Sequence, residues 1–240
     1  MRYVELKQKD YFPVKVLIII KYRVFLCWSD GLINDKTAEK FAKYMKKYPN
    51  LYKFLACSVQ KHTANAHPII IDLGAGPGLL SLELHKKIPN AKIIGVDSLQ
   101  KMLQLANENA CFDTFEALLG SSENIPVEDD SADIVVSRFS LPYWKHPNSS
   151  FTEIYRVLKP GGKIILEALN RDFPVWRLFL IKLHMLLNSA GGDVTRYHLD
   201  AYKTAYTIGQ VEQFLTDANF HIIEKEGSEK DWKFLVVAEK

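Results

Sequence analysis

Apolar and polar positions alternate in blocks along the chain, and the blocks predict strands and helices in turn. Short, nearly all-apolar runs such as 69–73 are typical of strands buried on both faces of a parallel sheet. Between these runs, apolar residues recur at helical intervals. In chain order the pattern predicts strand 69–73, helix 78–88, strand 92–97, helix 98–110, strand 114–119, strand 132–137, helix 149–158 and strand 162–168. This order predicts an α/β fold with a doubly wound, mostly parallel sheet.

The C-terminal part of the chain predicts a different kind of strand pair. Thr207 and Gln210 have the spacing of a capping box, which predicts the start of a helix. The segments 220–226 and 232–238 then predict two antiparallel strands, which brings the sheet to seven strands. An insertion of about 171–206 precedes them. Its apolar stretch 175–187 predicts a helix, so we expect an inserted helical lid.

The segment before the first predicted strand is expected to form an N-terminal helical part of the molecule. Its apolar spacing predicts one helix ending near Pro49 and a second beginning near Asn50. The apolar stretch 14–20 fits either a strand or a helix. We therefore divide the chain into an N-terminal cap, 1–62, and a ligand-binding domain, 63–240, with the insertion inside it.

Composition and charge narrow the function classes. The 240 residues, 48% of them hydrophobic, suit one α/β domain with additions. The 3 cysteines lack metal-ligand spacing, so we expect no metal site, no disulfide framework and a cytoplasmic location. No apolar run reaches the roughly 20 residues of a membrane span. Residues 1–61 hold 13 Lys/Arg against 5 Asp/Glu; this is either a solvated basic face or a contact for an anionic acceptor or membrane surface.

The most informative stretch is Ile-Ile-Ile-Asp-Leu-Gly-Ala-Gly-Pro-Gly at 69–78. Gly74, Gly76 and Gly78 lack the Cβ atoms that would keep a ligand away from the backbone. The helix that follows points free N–H groups at the same place. The spacing is neither the Gly-x-Gly-x-x-Gly of dinucleotide folds nor a P-loop. Asp72 favours a cationic or donor-rich ligand, because a carboxylate repels a pyrophosphate.

A second carboxylate follows at the distance that a nucleoside site requires. Asp97 ends the next predicted strand, roughly 20 residues after the last glycine, where an acid meets a ribose diol in a βαβ unit. These two motifs, with Gly120-Ser-Ser-Glu-Asn-Ile-Pro and Arg156-Val-Leu-Lys-Pro-Gly-Gly further on, resemble the class I S-adenosylmethionine-dependent methyltransferases. The closest resemblance is to the small-molecule branch, of the methyltransferase type 11 or ubiquinone-biosynthesis kind. It covers roughly residues 65–170.

The resemblance implies S-adenosylmethionine as the cofactor and assigns residues to its parts. Glycines 74, 76 and 78 would lie under its amino-acid end and ribose, Asp72 near its ammonium group, and Asp97 on both ribose hydroxyls. The remaining residues implied on the cofactor side are Ser98, Met102, Ser121, Ser122, Glu123 and Ser137. The family commonly has an acid where Ser121 stands, so the contact with the adenine amine differs here. Asp72 and Met102 also suit structural roles, as a loop anchor and a core residue.

The catalytic side is poorly defined by sequence, because methyl transfer from a sulfonium needs alignment more than acid–base chemistry. The catalytic residues are therefore unknown. Tyr143 and His146, after the fourth predicted strand, and His198, in the insertion, are candidates for a base or an orienting group. Three tyrosines of the insertion also suit a position over the pocket: Tyr197, Tyr202 and Tyr206.

Several functions stay open at this point. The first is methyl transfer to a small, hydrophobic acceptor, with peripheral membrane contact left open. The second is methylation of RNA or protein, although no nucleic-acid motif is present and we do not expect a nucleic-acid partner. The third is a non-catalytic module or partner subunit that binds the cofactor. A nicotinamide-dependent oxidoreductase is the weakest alternative. Nothing in the sequence indicates an oligomeric state.

Overall fold

A seven-stranded sheet organises the described part of the chain. The computed structural model describes residues 35–188, 191–228 and 230–240, without the side chains of Val175, Gly191 and His198. The strands lie in the order β3-β2-β1-β4-β5-β7-β6. In chain order they are β1 (Ile69–Leu73), β2 (Lys92–Asp97), β3 (Phe115–Leu119), β4 (Ala132–Arg138), β5 (Leu158–Leu169), β6 (His221–Glu226) and β7 (Lys233–Glu239).

The pairing of the strands confirms the predicted sheet. Strands β3, β2, β1, β4 and β5 run parallel to one another, and β7 is antiparallel to both β5 and β6. The strand order reverses direction between β1 and β4, which are neighbours in the sheet. In an open α/β sheet, a crevice forms at the carboxyl ends of the strands where the order reverses. The functional site is therefore expected beyond Leu73 and Arg138.

Helices cover both faces of the sheet, as the alternating pattern predicts. They are α1 (Asp35–Met45), α2 (Asn50–His62), α3 (Leu79–Lys87), α4 (Gln100–Asn109), α5 (Pro147–Val157), α6 (Val175–Leu187), α7 (Gly191–Lys203) and α8 (Ile208–Asp217). On one face α5 and α8 bury Phe151 and Leu215. On the other face α2, α3 and α6 bury Leu55, Leu84 and Met185. These two layers enclose the sheet and hold its carboxyl ends in register.

The insertion contains two helices, whereas the sequence pattern predicts only the first. The predicted helix 175–187 is present as α6. Helix α7 follows it, with Val194, Tyr197, Ala201 and Tyr202 at helical spacing. Its buried Val194 packs into the core beneath the sheet. The prediction stopped at the strongly apolar stretch 175–187 and so missed this second helix, which is less apolar and begins with two glycines.

One predicted boundary shifts, and one predicted helix start is confirmed. The sequence around Pro160-Gly161-Gly162 predicts a break between helix and strand, but β5 begins before it, at Leu158. Leu158 pairs with Ala132 and Lys163 with Ile134, so the extra residues of this register irregularity lie in β5. The predicted capping box is confirmed, because Thr207 Oγ1 accepts the N–H of Gln210 and the Gln210 side chain accepts the N–H of Thr207.

Both helices predicted before the first strand are present and pack against the sheet. Leu55 and Val59 of α2 belong to the same buried cluster as Ile70 of β1. The division of the chain at residue 62 stays a prediction. The ambiguous apolar stretch 14–20 lies outside the described residues. Among the described residues, no helix is both long and apolar enough to cross a membrane.

Candidate functional site

The glycine-rich loop connects β1 to α3 and leaves room above its backbone. Gly74, Gly76 and Gly78 all have positive φ, at 76°, 52° and 72°. A Cβ on Gly74 would lie 2.4 Å from the Cβ of Ser140, so the loop packs tightly on that side. A Cβ on Gly76 would meet nothing within 4 Å. Gly76 therefore presents bare backbone to open space, as a residue beneath a ligand must.

Asp97 closes this loop from the end of β2. Its Oδ2 accepts the N–H of Gly76 at 2.8 Å, and its Oδ1 accepts the N–H of Leu99 at 2.9 Å. Burial raises the pKa of Asp97, and these N–H groups oppose that rise. Each carboxylate oxygen can accept more than one hydrogen bond, so capacity remains for a diol. The structure thus brings Asp97 and the glycine loop together, as the sequence predicts.

Asp72 lies deeper, at the end of β1. Its side chain is buried, and its Oδ2 accepts a hydrogen bond of 2.7 Å from Ser81 Oγ in α3. Burial, with a smaller contribution from nearby Asp97, raises the pKa of Asp72 to about 7. The bond to Ser81 fits the structural interpretation of Asp72. The raised pKa also marks a buried acid that a cation would stabilise in its ionised form.

Met102 and Ser98 differ in their surroundings. Met102 is buried in α4, only 3% exposed, beside Leu103 and Ala106. Ser98 is exposed, just after Asp97. Met102 in this position stabilises the packing of α4.

The loop after β3 is fixed mainly by bonds to its neighbours. The N–H groups of Ser121 and Asn124 each donate to the other residue's carbonyl at 3.2 Å. Ser122 Oγ accepts from Ser150 Oγ at 2.8 Å, and Glu123 Oε1 accepts the N–H of His146 at 3.0 Å. Of the three predicted residues in this loop, Ser122 and Glu123 therefore hold α5 in place, and the Ser121 side chain is exposed.

The end of β4 is held to the end of β1 by two serines. Ser137 is fully buried, and its Oγ donates to the carbonyl of Leu73 at 2.8 Å. Ser140 Oγ lies 2.5 Å from Ser137 Oγ and accepts the indole N–H of Trp144 at 3.0 Å. This network fixes the crevice between β1 and β4. The sequence analysis identified Ser137 but missed Ser140. The importance of Ser140 is visible only in the folded structure, where its side chain packs against Gly74.

The catalytic candidates are not brought together as a set. Tyr143 stacks on Tyr197 of α7, with ring centroids 5.2 Å apart. Desolvation, followed by the influence of Tyr197, raises the pKa of Tyr143 well above its ordinary value of 10. His146 is exposed just before α5, where its carbonyl accepts the N–H of Ser150. The side chain of His198 lies outside the described part of the structure.

The other two tyrosines of the insertion are committed to packing. The hydroxyl of Tyr202 donates to the carbonyl of Trp232 at 3.5 Å, and burial raises the pKa of Tyr202. Tyr206 packs edge-on against Phe214, with ring centroids 5.3 Å apart. Neither arrangement favours direct chemistry.

Sequence reasoning missed a buried charged cluster at the ends of β4, β5 and β7. Arg138 Nε lies 2.8 Å from Glu167 Oε2, and Lys233 contacts the other carboxylate oxygen. The Arg138 guanidinium lies 4.6 Å from the Tyr52 ring and 4.1 Å from the Phe139 ring. Its Nη2 atom has no hydrogen-bond partner among the described residues. In the sequence, the feature that pointed to this cluster was a single arginine directly after the apolar run 133–137.

A family model described as a methyltransferase domain matches residues 71–166. The match begins inside β1 and ends inside β5, so it contains the glycine loop, Asp97 and the serine network. The family agrees with the resemblance drawn from the sequence motifs.

Curated relatives point the same way. The chain is 31% identical over 149 residues to the demethylmenaquinone methyltransferase of Chlorobaculum tepidum, a match covering 61% of this chain and 59% of that protein. It is also 31% identical over 118 residues to a chloroplastic 2-methyl-6-phytyl-1,4-hydroquinone methyltransferase of Oryza sativa, covering 46% and 36%. The chain thus spans about six tenths of the first of these and about a third of the second.

Solved structures match over a greater share of the chain. A candidate S-adenosylmethionine-dependent methyltransferase of Methanococcus maripaludis is 25% identical with a TM-score of 0.67, covering 91% of this chain and 97% of that one. A methyltransferase of Aquifex aeolicus, 16% identical with a TM-score of 0.64 and covering 87% and 99%, shares the fold.

Proposed function

Because the chain carries a class I S-adenosylmethionine-dependent methyltransferase domain, we propose that it transfers a methyl group to a small, hydrophobic acceptor. One observation carries the proposal. The open backbone at Gly76 and the carboxylate of Asp97 are joined by a 2.8 Å hydrogen bond at the carboxyl ends of β1 and β2. A nucleoside can lie on that backbone with its ribose hydroxyls on the carboxylate.

The residues present fit S-adenosylmethionine in charge as well as in shape. The cofactor carries a sulfonium and an ammonium group, and Asp72 and Asp97 are two acids near its proposed place. Asp72 has a pKa raised to about 7 and would be held ionised by a nearby cation. When bound, the cofactor supplies a methyl group on a good, neutral leaving group. The protein's share is to hold the acceptor in line and to exclude water.

Three groups of residues complete the proposed cofactor site. The glycines 74, 76 and 78 form its floor, and Ser137 with Ser140 fixes the distance between that floor and β4. Ser98 and the exposed side chain of Ser121 border the adenine and ribose side. Met102, Ser122 and Glu123 support this border from behind rather than through polar contacts with the cofactor.

We place the acceptor beyond the ends of β4 and β5, beneath α7. Leu169, Ala201 and Ala205 form a small buried cluster there, with Phe139 and Trp232 packed against it. This apolar wall suits an aromatic or prenylated acceptor. Two relatives have names that refer to acceptors of this kind, the demethylmenaquinone methyltransferase and the 2-methyl-6-phytyl-1,4-hydroquinone methyltransferase. The Arg138 guanidinium beside Phe139 favours an acceptor that presents an oxygen with negative charge.

No described side chain is a ready general base. Tyr143 is held neutral by its raised pKa, and His146 is exposed at the start of α5. We therefore propose that alignment dominates catalysis, that any proton leaves the acceptor through solvent, and that these residues and His198 orient the acceptor at most. We also propose a cytoplasmic location, supported by the exposed free thiols of Cys57 and Cys111.

The test is calorimetric titration of the full chain with S-adenosylmethionine and its demethylated product, with NAD as the control, followed by transfer of a labelled methyl group. Acceptors in the transfer assay are a prenylated hydroquinone, unstructured RNA and an acidic protein. We expect micromolar binding of the first two ligands, none of NAD, and label on the hydroquinone alone. Binding without transfer to any acceptor would favour the non-catalytic alternative, and label on RNA or protein would favour the macromolecular one.

A further inference from the structure

Helix α6 has two apolar faces, and within the described residues only one of them packs against the rest of the protein. Ile181 and Met185 pack into the cluster beneath the sheet. The opposite face is apolar as well, and all of its large side chains are exposed, from 39% for Leu183 to 76% for Leu187. The outer face of α6 consists of Trp176, Phe179, Leu180, Leu183, Leu186 and Leu187.

The outer face is a continuous helical stripe. Its members follow intervals of three, one, three, three and one residues, which at 3.6 residues per turn confines them to an arc of about 120°. Six large apolar side chains side by side on one helix differ from the scattered apolar residues of an ordinary surface. A helix that is apolar on opposite faces needs a second apolar partner beyond its own core.

Basic residues border this stripe on both sides. By the same helical geometry, Arg177 lies along one border and Lys182 along the other. The helix contains no acidic residue. Asp193, the first acid after it, is already paired with Lys40 at 3.1 Å. The outer face is therefore an apolar strip framed by positive charge.

Further positive charge lies close to the end of α6. Lys47 Nζ donates to the carbonyl of Asn188, the residue that follows the helix, at 3.3 Å. Lys47 belongs to the segment 35–62, in which seven lysines stand against two acids. Arg177, at the other end of α6, donates to the carbonyl of Lys230 at 3.2 Å. Both ends of the apolar stripe are thus flanked by cations.

We propose that α6 docks the protein onto the surface of an anionic lipid bilayer, with its outer face in the boundary between headgroups and acyl chains. An apolar strip with basic borders is what an interfacial helix requires, because long basic side chains extend to the headgroups while the strip is buried. Trp176 suits the same depth. The 13 residues of α6 extend about 20 Å, less than the roughly 30 Å hydrocarbon core, so the helix lies on the bilayer.

A bilayer suits this face better than a second copy of the chain. A two-fold contact would bring the same patch of both copies together. Arg177 and Lys182 of one copy would then approach the basic borders of the other with no acid of α6 between them. Anionic headgroups supply the missing negative charge along both borders.

Docking through α6 has a consequence for the site. Helix α7 follows α6 directly, and its Tyr197 stacks on Tyr143 beyond the end of β4. The bilayer would therefore lie close to the helices that cover the acceptor side. This consequence rests on the proposed function, whereas the docking itself does not.

The experiment is cosedimentation of the full chain with phosphatidylcholine vesicles, with and without phosphatidylglycerol. We expect binding that needs the anionic lipid and weakens in high salt. The double variant F179S/L183S should weaken binding by about tenfold or more, since two large apolar side chains leave the boundary. Ile223→Ser, at an equally exposed residue of β6, is the matched control and should bind like the unaltered chain.

A second measurement is independent of how the serine variants fold. Tryptophan emission of the unaltered chain should shift to the blue when anionic vesicles are added, and Trp176→Phe should remove the shift while keeping the binding. Absence of vesicle binding in the unaltered chain would overturn the proposal. So would equal binding by F179S/L183S and the unaltered chain, or a dimer in solution that this variant abolishes without any effect of lipid. Calorimetry with S-adenosylmethionine on the same samples reports separately on the proposed function.

Discussion

The carboxylate of Asp97 accepts the backbone N–H of Gly76 across a distance of 2.8 Å. This bond joins the loop after β1 to the end of β2, although 21 residues separate its two partners in sequence. It sets the open backbone of Gly76 and the carboxylate side by side. Five predictions about the proposed cofactor site and its surroundings follow from this and neighbouring contacts.

Replacing Asp97 by alanine should weaken binding of S-adenosylmethionine by more than about tenfold. The variant removes a charge-assisted acceptor for the ribose and frees the loop N–H groups of Gly76 and Leu99. Calorimetric titration measures the effect, and thermal unfolding reports whether the fold is kept. Asp113→Ala, at an exposed acid beyond α4, is the control and should leave the affinity unchanged. An unaltered affinity in the Asp97 variant would remove this residue from the site.

Gly76→Ala should impair cofactor binding far more than stability. The new Cβ would point into open space, where the ligand is proposed to lie, and positive φ adds a strain of about 1 kcal/mol. Gly161→Ala is a matched control, because Gly161 has φ +75° and also has nothing within 4 Å of its Cβ position. Both variants should lose similar stability in urea unfolding, and only the first should lose affinity. Equal affinities would mean that the space above Gly76 holds no ligand.

Stability should fall as the pH rises from about 4 to 7 through the titration of Asp72. Burial raises the folded pKa to about 7 from the ordinary 3.8, so the folded state keeps a proton that the unfolded chain has lost. The stabilisation is full below the unfolded pKa and is lost as pH passes the folded one. A rise of the pKa from 3.8 to about 7 corresponds to a change of about 4 kcal/mol. Urea unfolding at several pH values measures it, and Asp72→Asn should remove most of it; the same slope in both proteins would exclude Asp72 as its source.

The same acid should make cofactor affinity depend on pH. A cation near Asp72 favours the ionised carboxylate, so binding must release a proton below pH 7 and should tighten as pH rises from 6 to 8. Asp72→Asn should flatten that dependence. Titration in buffers of different ionisation enthalpy detects the released proton directly. A flat profile in the unaltered protein would place the cofactor's charges away from Asp72.

Arg138 should separate acceptor binding from cofactor binding. Arg138→Gln leaves Glu167 with Lys233 alone and removes the cation beside Phe139, so we expect a raised KM for the acceptor and an unchanged affinity for S-adenosylmethionine. The loss of a partner from a buried ion pair should also destabilise the protein by about 3 kcal/mol. Arg156→Gln, in the more exposed pairs with Glu153 and Asp129, should cost about 1 kcal/mol and leave KM unchanged. A KM unchanged in the Arg138 variant would make this cluster purely structural.

How much of the fold the sequence predicts depends on whether an element is determined by neighbouring residues or by residues distant in the chain. Parallel strands buried on both faces are uniformly apolar, so the runs at β1 and β4 were visible locally. Gly76 and Asp97 were visible for a similar reason, because a chain turning beneath a ligand needs glycine and a ribose favours a carboxylate. Helix α7 was missed because it is less apolar than α6 and begins with two glycines, while its buried Val194 packs into a core built by distant parts of the chain. Arg138 was missed because its partners come from other strands.

By itself, then, the sequence determined the order of strands and helices, the glycine loop and the acid that follows it, since apolar periodicity and turn chemistry act over a few residues. Only the tertiary structure decided that Ser122 and Glu123 hold α5, that Arg138 meets Glu167 across two strands, and that one apolar face of α6 is covered while the other is exposed. Those contacts join residues distant in the chain, and in a helix that is apolar on both sides no local pattern encodes which side will meet the core.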